Sequence, residues 1–334
     1  MKYCKKCVQP DSRPGIKFDK NGICPPCQYM DKFKDIDWKA REKKLKEIVD
    51  FGQKNNVSGY DCIIGVSGGK DSTRQSLYIK EKLGLKPLLV CCSYPPEQLS
   101  DRGAHNLGNL ISLGFDTITV SPAPETWKKL MRLSFLRFGN WGRSTEMALY
   151  ASAPRIAIAY HIPLIFLGEN PAIQLGDLGV GSLDWVGNKM KESNTIKGGP
   201  KVLYNRKDDI SLQDLILYEY PSYDEMEWAK LKIVYLGYFW KDFTKIDNAR
   251  VSIANGLEIR DDIEDNNWAI HPFEALDEDF VVVNQYLKYL KYGFGRVTDE
   301  VNEEIRYGRM ERSKAIQLVK KLDGQCKPKF IKRF

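Results

Sequence analysis

The sequence predicts an α/β protein, a doubly wound parallel sheet with a small cysteine module before it and a mainly helical region after it. Three observations carry this prediction. Short apolar runs alternate with amphipathic stretches between about residues 60 and 167, the pattern of βαβ units. Two Cys-x-x-Cys pairs stand in the first 30 residues. Beyond Asn170 the alternation stops.

In chain order, residues 1–30 are rich in Cys, Pro and Gly and show little periodicity. Residues 35–54 read as a helix, because Trp38, Leu45, Ile48, Val49 and Phe51 make an apolar stripe. Residues 61–66 form the first strand, and a Gly-rich turn leads into a helix over about 72–83 that Gly84 terminates. A second strand follows over 88–93, then a helix over about 98–113 ending at Gly114 and a third strand over 116–120. Helices near 125–137 and 144–160 precede a fourth strand over 162–167. Residues 171–210 read as Gly-rich loop, and 211–245 as an aromatic-rich stretch whose rings are expected in the core. Residues 280–283 have the length of a buried strand, within a segment from about Glu278 that otherwise reads as helices punctuated by Gly293, Gly295 and Gly308. The implied organisation is a cysteine module over 1–34, a linking helix over 35–54, the α/β domain over 55–200 and a basic helical region over 201–334.

Composition bounds the function. With 43% hydrophobic and 28% charged residues in 334, a large core is attainable and disorder is excluded. No apolar run reaches the roughly 18 residues a membrane span needs, and the N-terminus lacks a signal-like apolar stretch, so a cytoplasmic protein without a membrane partner is expected. The net charge of +7 resides in residues 288–334, with 13 Lys/Arg against 6 Asp/Glu, a surface that fits phosphates or simply solvent.

Cys4-x2-Cys7 and Cys24-x2-Cys27 have the spacing of a four-thiolate zinc site. Four ligands fill a tetrahedron, so the metal is expected to be structural; an iron–sulfur cluster would use the same ligands. Cys62, Cys91 and Cys92 lie in apolar runs and read as core.

The segment Gly65-Val66-Ser67-Gly68-Gly69-Lys70-Asp71-Ser72 joins a strand to a helix, where backbone N–H groups converge on an anion. A Walker loop is excluded, because Ile64 stands at the first Gly position and Asp71 follows the Lys. Asp71 makes sense beside phosphate when it holds Mg²⁺.

The S-G-G-x-D-S run resembles the PP-loop of the N-type ATP pyrophosphatases. That resemblance implies cleavage of ATP to AMP and pyrophosphate, with Ser67, Gly68, Gly69, Lys70 and Ser72 on pyrophosphate, Asp71 on Mg²⁺ and an adenine pocket near Val66 and Cys92-Ser93. Gly168-Glu169-Asn170 would complete the nucleotide site, with Glu169 near metal or ammonia. The stretches Asn106-Leu107-x-Asn109-Leu110-Ile111-x-Leu113-Gly114-Phe115-Asp116, Tyr289–Asp299 and Ile305-Arg306-x-Gly308-Arg309-Met310-x-Arg312 are similar to N-acetyl sugar amidotransferases of lipopolysaccharide O-antigen and of pseudaminic or legionaminic acid biosynthesis. This second resemblance implies adenylation of an acetamido oxygen on a nucleotide-activated N-acetyl sugar, then displacement of AMP by ammonia. Residue 2 is Lys and no nucleophile-elbow cysteine is visible, so a separate glutaminase or free ammonia is expected as nitrogen source. Arg143, Arg296, Arg306 and Arg309 are candidates for the sugar diphosphate or, equally, for surface ion pairs. The alternative function is a tRNA-modifying thiolase of the same superfamily, with nucleic acid as substrate.

Overall fold

A computed structural model describes residues 1–176, 185–193, 195–204, 209–263 and 267–334. Among these residues the sheet has five strands, all parallel: β1 (Cys62–Val66), β2 (Pro87–Cys92), β3 (Thr117–Val120), β4 (Leu164–Leu167) and β5 (Lys232–Tyr235). Their spatial order is β3-β2-β1-β4-β5, so the chain reverses direction across the sheet between β1 and β4. At that point the loops leaving two neighbouring strands part, opening a crevice at their carboxyl ends.

Both faces of the sheet are covered, as the apolar strands require. Cys62, Ile64, Val66, Leu89 and Cys91 pack on one face beneath α2 (Trp38–Lys54), α3 (Lys70–Glu81) and α4 (Asp101–Ser112). Ile63, Leu88, Val90, Ile165 and Ile233 pack on the other against Ala153 and Ala157 of α6 (Gly142–Ala159). α5 (Pro124–Phe138) lies beside α6, its end set by Gly139 in the left-handed region. Helix starts carry their caps: Asp37 accepts from Ala40 N–H at 3.0 Å, and Ser100 from Gly103 N–H at 3.0 Å.

The structure departs from the sequence reading in two places. The aromatic-rich stretch contains β5, and its rings divide: Tyr218, Tyr235 and Phe239 are buried, while Trp228 is 75% exposed. Residues 185–188 run antiparallel along β5, with Tyr235 N–H donating to Trp185 O at 2.9 Å and Gly187 N–H to Ile233 O at 2.7 Å, which covers the sheet edge. Phe280–Val283 is the first turn of a helix, α10 (Phe280–Tyr292), because an apolar run of four reads alike in strand and helix and the residues after it continue the helical period. After β4 come α7 (Pro171–Gln174), α8 (Tyr223–Trp228) and α9 (Lys245–Ala254). The C-terminal region is helical, with α11 (Arg296–Arg306), α12 (Arg312–Leu322) and α13 (Pro328–Arg333) following α10. Among the described residues no helix is long and apolar enough to cross a membrane.

The first 30 residues fold back onto this region. Val8 packs with Val297, Val301 and Ala315, and its N–H donates to Asn302 Oδ1 at 2.8 Å. α1 (Pro25–Phe33) lies against α7, so the cysteine module touches the loop that leaves β4.

Candidate functional site

The turn from β1 into α3 sits at the switch point. Gly68 has φ +84°, and a Cβ there would lie 2.7 Å from the backbone nitrogen of Leu107 in α4. Only glycine lets the turn pass so close while staying in the left-handed region. Ser67 N–H donates to Ser72 Oγ at 3.1 Å, and Thr73 Oγ1 to Gly69 O at 3.2 Å, which tie the turn to the first turn of the helix.

The turn opens into a cavity of about 250 Å³. Its apolar wall is made by Val66, Val90, Cys92, Ala153 and Ile165, and its polar rim by Ser67, Asp71, Ser72, Gly168 and Glu169. Of the expected site residues, Val66, Ser67, Asp71, Ser72, Gly168 and Glu169 border this space, whereas Lys70 lines an adjoining one and Gly68, Gly69 and Ser93 line neither. Ser93 lies just past β2, its hydroxyl donating to Tyr94 O at 3.1 Å. Lys70 is buried and pairs with Asp71 at 3.2 Å and Glu274 at 3.8 Å. Burial holds its ammonium below the usual lysine range, offset by Asp71.

Asp71 is held by residues the sequence did not single out. Asn248 Nδ2 donates to Asp71 Oδ1 at 2.6 Å, and Asn248 Oδ1 accepts from Arg74 Nη1 at 3.0 Å. Burial pushes the Asp71 carboxyl up, but Lys70, the Asn248 hydrogen bond and Lys245 outweigh it, so it stays ionised below the usual range. Glu169 goes the other way, raised by burial and by the charge of Asp71, and its Oε2 is buried with no hydrogen-bond partner among the described residues. Asp277 also lines the cavity, its carboxyl raised by burial. Oxygen donors of this kind suit a hard cation such as Mg²⁺.

The four N-terminal cysteines are buried, and their sulfurs lie within 4.8 Å of one another. Cys7 and Cys24 Sγ are 3.6 Å apart, close to the roughly 3.8 Å edge of a tetrahedron with metal–sulfur bonds of about 2.3 Å. Cys24 N–H donates to Cys4 Sγ at 3.3 Å and Gln9 N–H to Cys7 Sγ at 3.5 Å, hydrogen bonds that stabilise thiolates. The set fits a structural metal such as zinc. Pro25, inside the second pair, opens α1, so Cys24 caps that helix and Cys27 stands in its first turn.

Two of the four candidate arginines, Arg296 and Arg306, line one cavity, and Arg143 and Arg309 do not. Arg309 is held by Glu304 at 2.8 and 2.9 Å. Arg143 donates to Lys197 O at 2.9 Å and stacks over Phe138. Arg306 donates to Ile173 O at 3.0 Å beside the cysteine cluster, and Arg296 pairs with Glu274. His271 faces Glu304 at 3.6 Å and stacks on Phe273. Cys91 and Cys92 face opposite sides of the sheet, and burial pushes both thiols up to about 12.

Residues 269–334 match the family described as "LPS biosynthesis protein WbpG-like, C-terminal domain". A curated relative, the uncharacterized protein MJ1599 of Methanocaldococcus jannaschii, is 33% identical over 88 residues, 26% of this chain and 31% of that protein. The match thus spans about a third of the relative's length. The matched segment supplies Glu274 and Asp277, from the loop before α10, and Glu303, from α11, to the surroundings of the turn.

Proposed function

We propose that the protein is an ATP-dependent, AMP-forming amidotransferase of surface polysaccharide biosynthesis, converting the acetamido group of a nucleotide-activated N-acetyl sugar into an acetamidino group. The observation that carries this reading is the Ser67–Ser72 turn at the switch point, bordering a cavity that also takes in Asp71 and Glu169. The similarity of residues 269–334 to lipopolysaccharide biosynthesis proteins supports the substrate class.

In this reading the apolar wall takes the nucleoside, and Ser67, Gly68, Gly69, Lys70 and Ser72 take the outer phosphates. Asp71 and Glu169 are the residues that would hold Mg²⁺, which supplies charge neutralisation between phosphate oxygens. The acetamido oxygen attacks the α-phosphorus, the bond to the β-phosphate oxygen breaks, and pyrophosphate leaves. Donors already aimed at the leaving oxygens stabilise their charge without reorganising. Ammonia then adds to the imidate carbon, the C–O bond to AMP breaks, and the surplus proton passes to a nearby base.

A separate glutaminase or free ammonia supplies the nitrogen. Cys62, Cys91 and Cys92 are buried with thiols raised by that burial, which is the reverse of an activated nucleophile. The same property disfavours a thiolase, whose sulfur carrier must be accessible. The test measures AMP from ATP with UDP-N-acetyl sugars and ammonia, or with tRNA. Sugar-dependent AMP, a product lighter by the difference between O and NH, and loss of both in Asp71→Ala are expected. AMP formation that responds only to tRNA, or ADP as product, would refute the proposal.

A further inference from the structure

A second cavity, also about 250 Å³, adjoins the first, and Asp71, Gln174, Lys245 and Glu303 belong to the walls of both. The two chambers differ in charge. In the first, Lys245 is the one full cation among the described lining residues, against Asp71, Glu169, Asp277 and Glu303. The second presents Arg13, Lys70, Lys245, Arg296 and Arg306 against Asp71, Asp299 and Glu303. These cations come from remote parts of the chain: Arg13 from the cysteine module, Lys70 from the turn, Lys245 from the start of α9, and Arg296 and Arg306 from the two ends of α11.

The acids of the protein do not use up these donors. Arg13 gives Nε to Gln9 at 3.0 Å and pairs with Asp299, which also takes Lys288 at 2.6 Å. Lys245 lies between Glu274 at 3.4 Å and Glu303 at 3.5 Å. Yet Arg306 Nε is buried with no hydrogen-bond partner among the described residues, while Arg296 Nε, also buried, stands 3.5 Å from Glu300 Oε1. A buried donor left unmade costs about 1–3 kcal/mol, more when charged, so Arg306 Nε marks a place where a ligand supplies the acceptor. Guanidinium forks match the paired oxygens of phosphate.

We propose that the second chamber is a diphosphate-binding subsite, with Arg13, Arg296 and Arg306 as its guanidinium ligands, and that it holds the diphosphate of the sugar nucleotide. The occupant, though not the anion preference, rests on the function proposed above. Ser67 and Ser72 line the first chamber and not the second, so the outer phosphates of ATP belong to the first, while Lys70 lines the second and, beside Asp71 on the common wall, stands between the two phosphate groups. Two substrates in chambers that share Asp71 and Lys245 would meet at that common wall, where the acetamido oxygen must reach the α-phosphorus.

Isothermal titration of the full, metal-loaded chain tests this with three probes: UDP, UDP-N-acetylglucosamine and a non-cleavable α,β-methylene ATP analogue with Mg²⁺. Arg13→Gln should weaken the UDP-sugar and UDP by about tenfold, or about 1.4 kcal/mol, and leave the ATP analogue within about twofold. Arg13→Lys should recover part of the loss. Gln174→Glu, at an exposed position, adds a negative charge without breaking an ion pair and should weaken the UDP-sugar in the same direction. Unchanged affinities for all probes, in variants with wild-type melting and metal content, would overturn the subsite. Weakening confined to the ATP analogue would overturn the sugar-nucleotide occupant. Retained UDP-sugar binding in a protein that forms no AMP would sink the proposed reaction and leave the subsite standing.

Discussion

Asn248→Ala isolates what orients Asp71. An arginine can only donate, so Arg74 Nη1 forces Oδ1 of Asn248 toward itself and turns Nδ2 toward Asp71. The amide is 1% exposed, so its removal leaves a small void where Asp71 had a donor. Arg74 keeps the Asp242 carbonyl at 2.9 Å and carboxylate at 3.1 Å, and the loss therefore falls on Asp71. A hydrogen bond to a charged group contributes about 1.5–3 kcal/mol. The Asp71 side chain is 47% exposed, so solvent screening puts the expected loss at the low end, about 1.5 kcal/mol, with up to about 1 kcal/mol more from the void.

A pH signature separates this from simple loss of packing. The carboxyl is depressed in the folded protein, so its stabilisation is complete above the unfolded pKa of about 3.9 and is lost as pH falls through the lower folded value. Without Asn248 the depression shrinks. The stability gap between wild type and variant, measured by urea unfolding, should be about 2 kcal/mol at pH 7 and narrow as pH falls from about 4 toward 3. A variant as stable as wild type at pH 7, or a gap that stays constant through that window, would refute the reasoning.

Two further outcomes follow from buried groups. Cys24→Ser removes one of four clustered thiols and should release the bound metal, measured by elemental analysis, and lower the melting temperature by roughly 10 °C; retention of both metal and melting point would remove the metal assignment. Glu278 is buried, and burial together with Asp277 pushes its carboxyl up to about 8 against an ordinary 4.5. Its folded form holds a proton that the unfolded chain has lost, so stability falls as pH rises between about 4.5 and 8, and Glu278→Gln should flatten that slope and stabilise the protein by a few kcal/mol at pH 8.5, read by denaturant unfolding. An unchanged slope would show that Glu278 does not titrate in that window.

Strands β1, β2 and β4 were legible because each is a compact, buried apolar run, and β3, half-buried Thr117-Ile118-Thr119-Val120, because its residues are β-branched. β5 was not, because four residues set among tyrosines and tryptophans carry no period of their own; pairing with β4 and cover by residues 185–188 make it a strand. The turn over 65–72 and the cysteine pairs could be read for the same reason, since their chemistry is contiguous. Asn248 stands 177 positions from Asp71, and nothing around Lys245-Ile246-Asp247-Asn248 marks it. Arg309 reads like a phosphate ligand until Glu304 is seen beside it.

The C-terminal region and the turn form one electrostatic unit. Glu274 is 1% exposed and stands among Lys70, Lys245 and Arg296, one cation each from the turn, from α9 and from α11. A carboxylate so deeply buried is tolerated only because three cations surround it, and the burial of Lys70 depends in turn on that carboxylate. The matched segment 269–334 supplies Glu274, Arg296, Glu303 and Arg306, so the part of the chain most similar to polysaccharide biosynthesis proteins is also the part that holds the loop lysine in place. The turn alone fits any enzyme that handles phosphates; Glu274, from the loop before α10, and Arg296 of α11 add to the charges around its lysine.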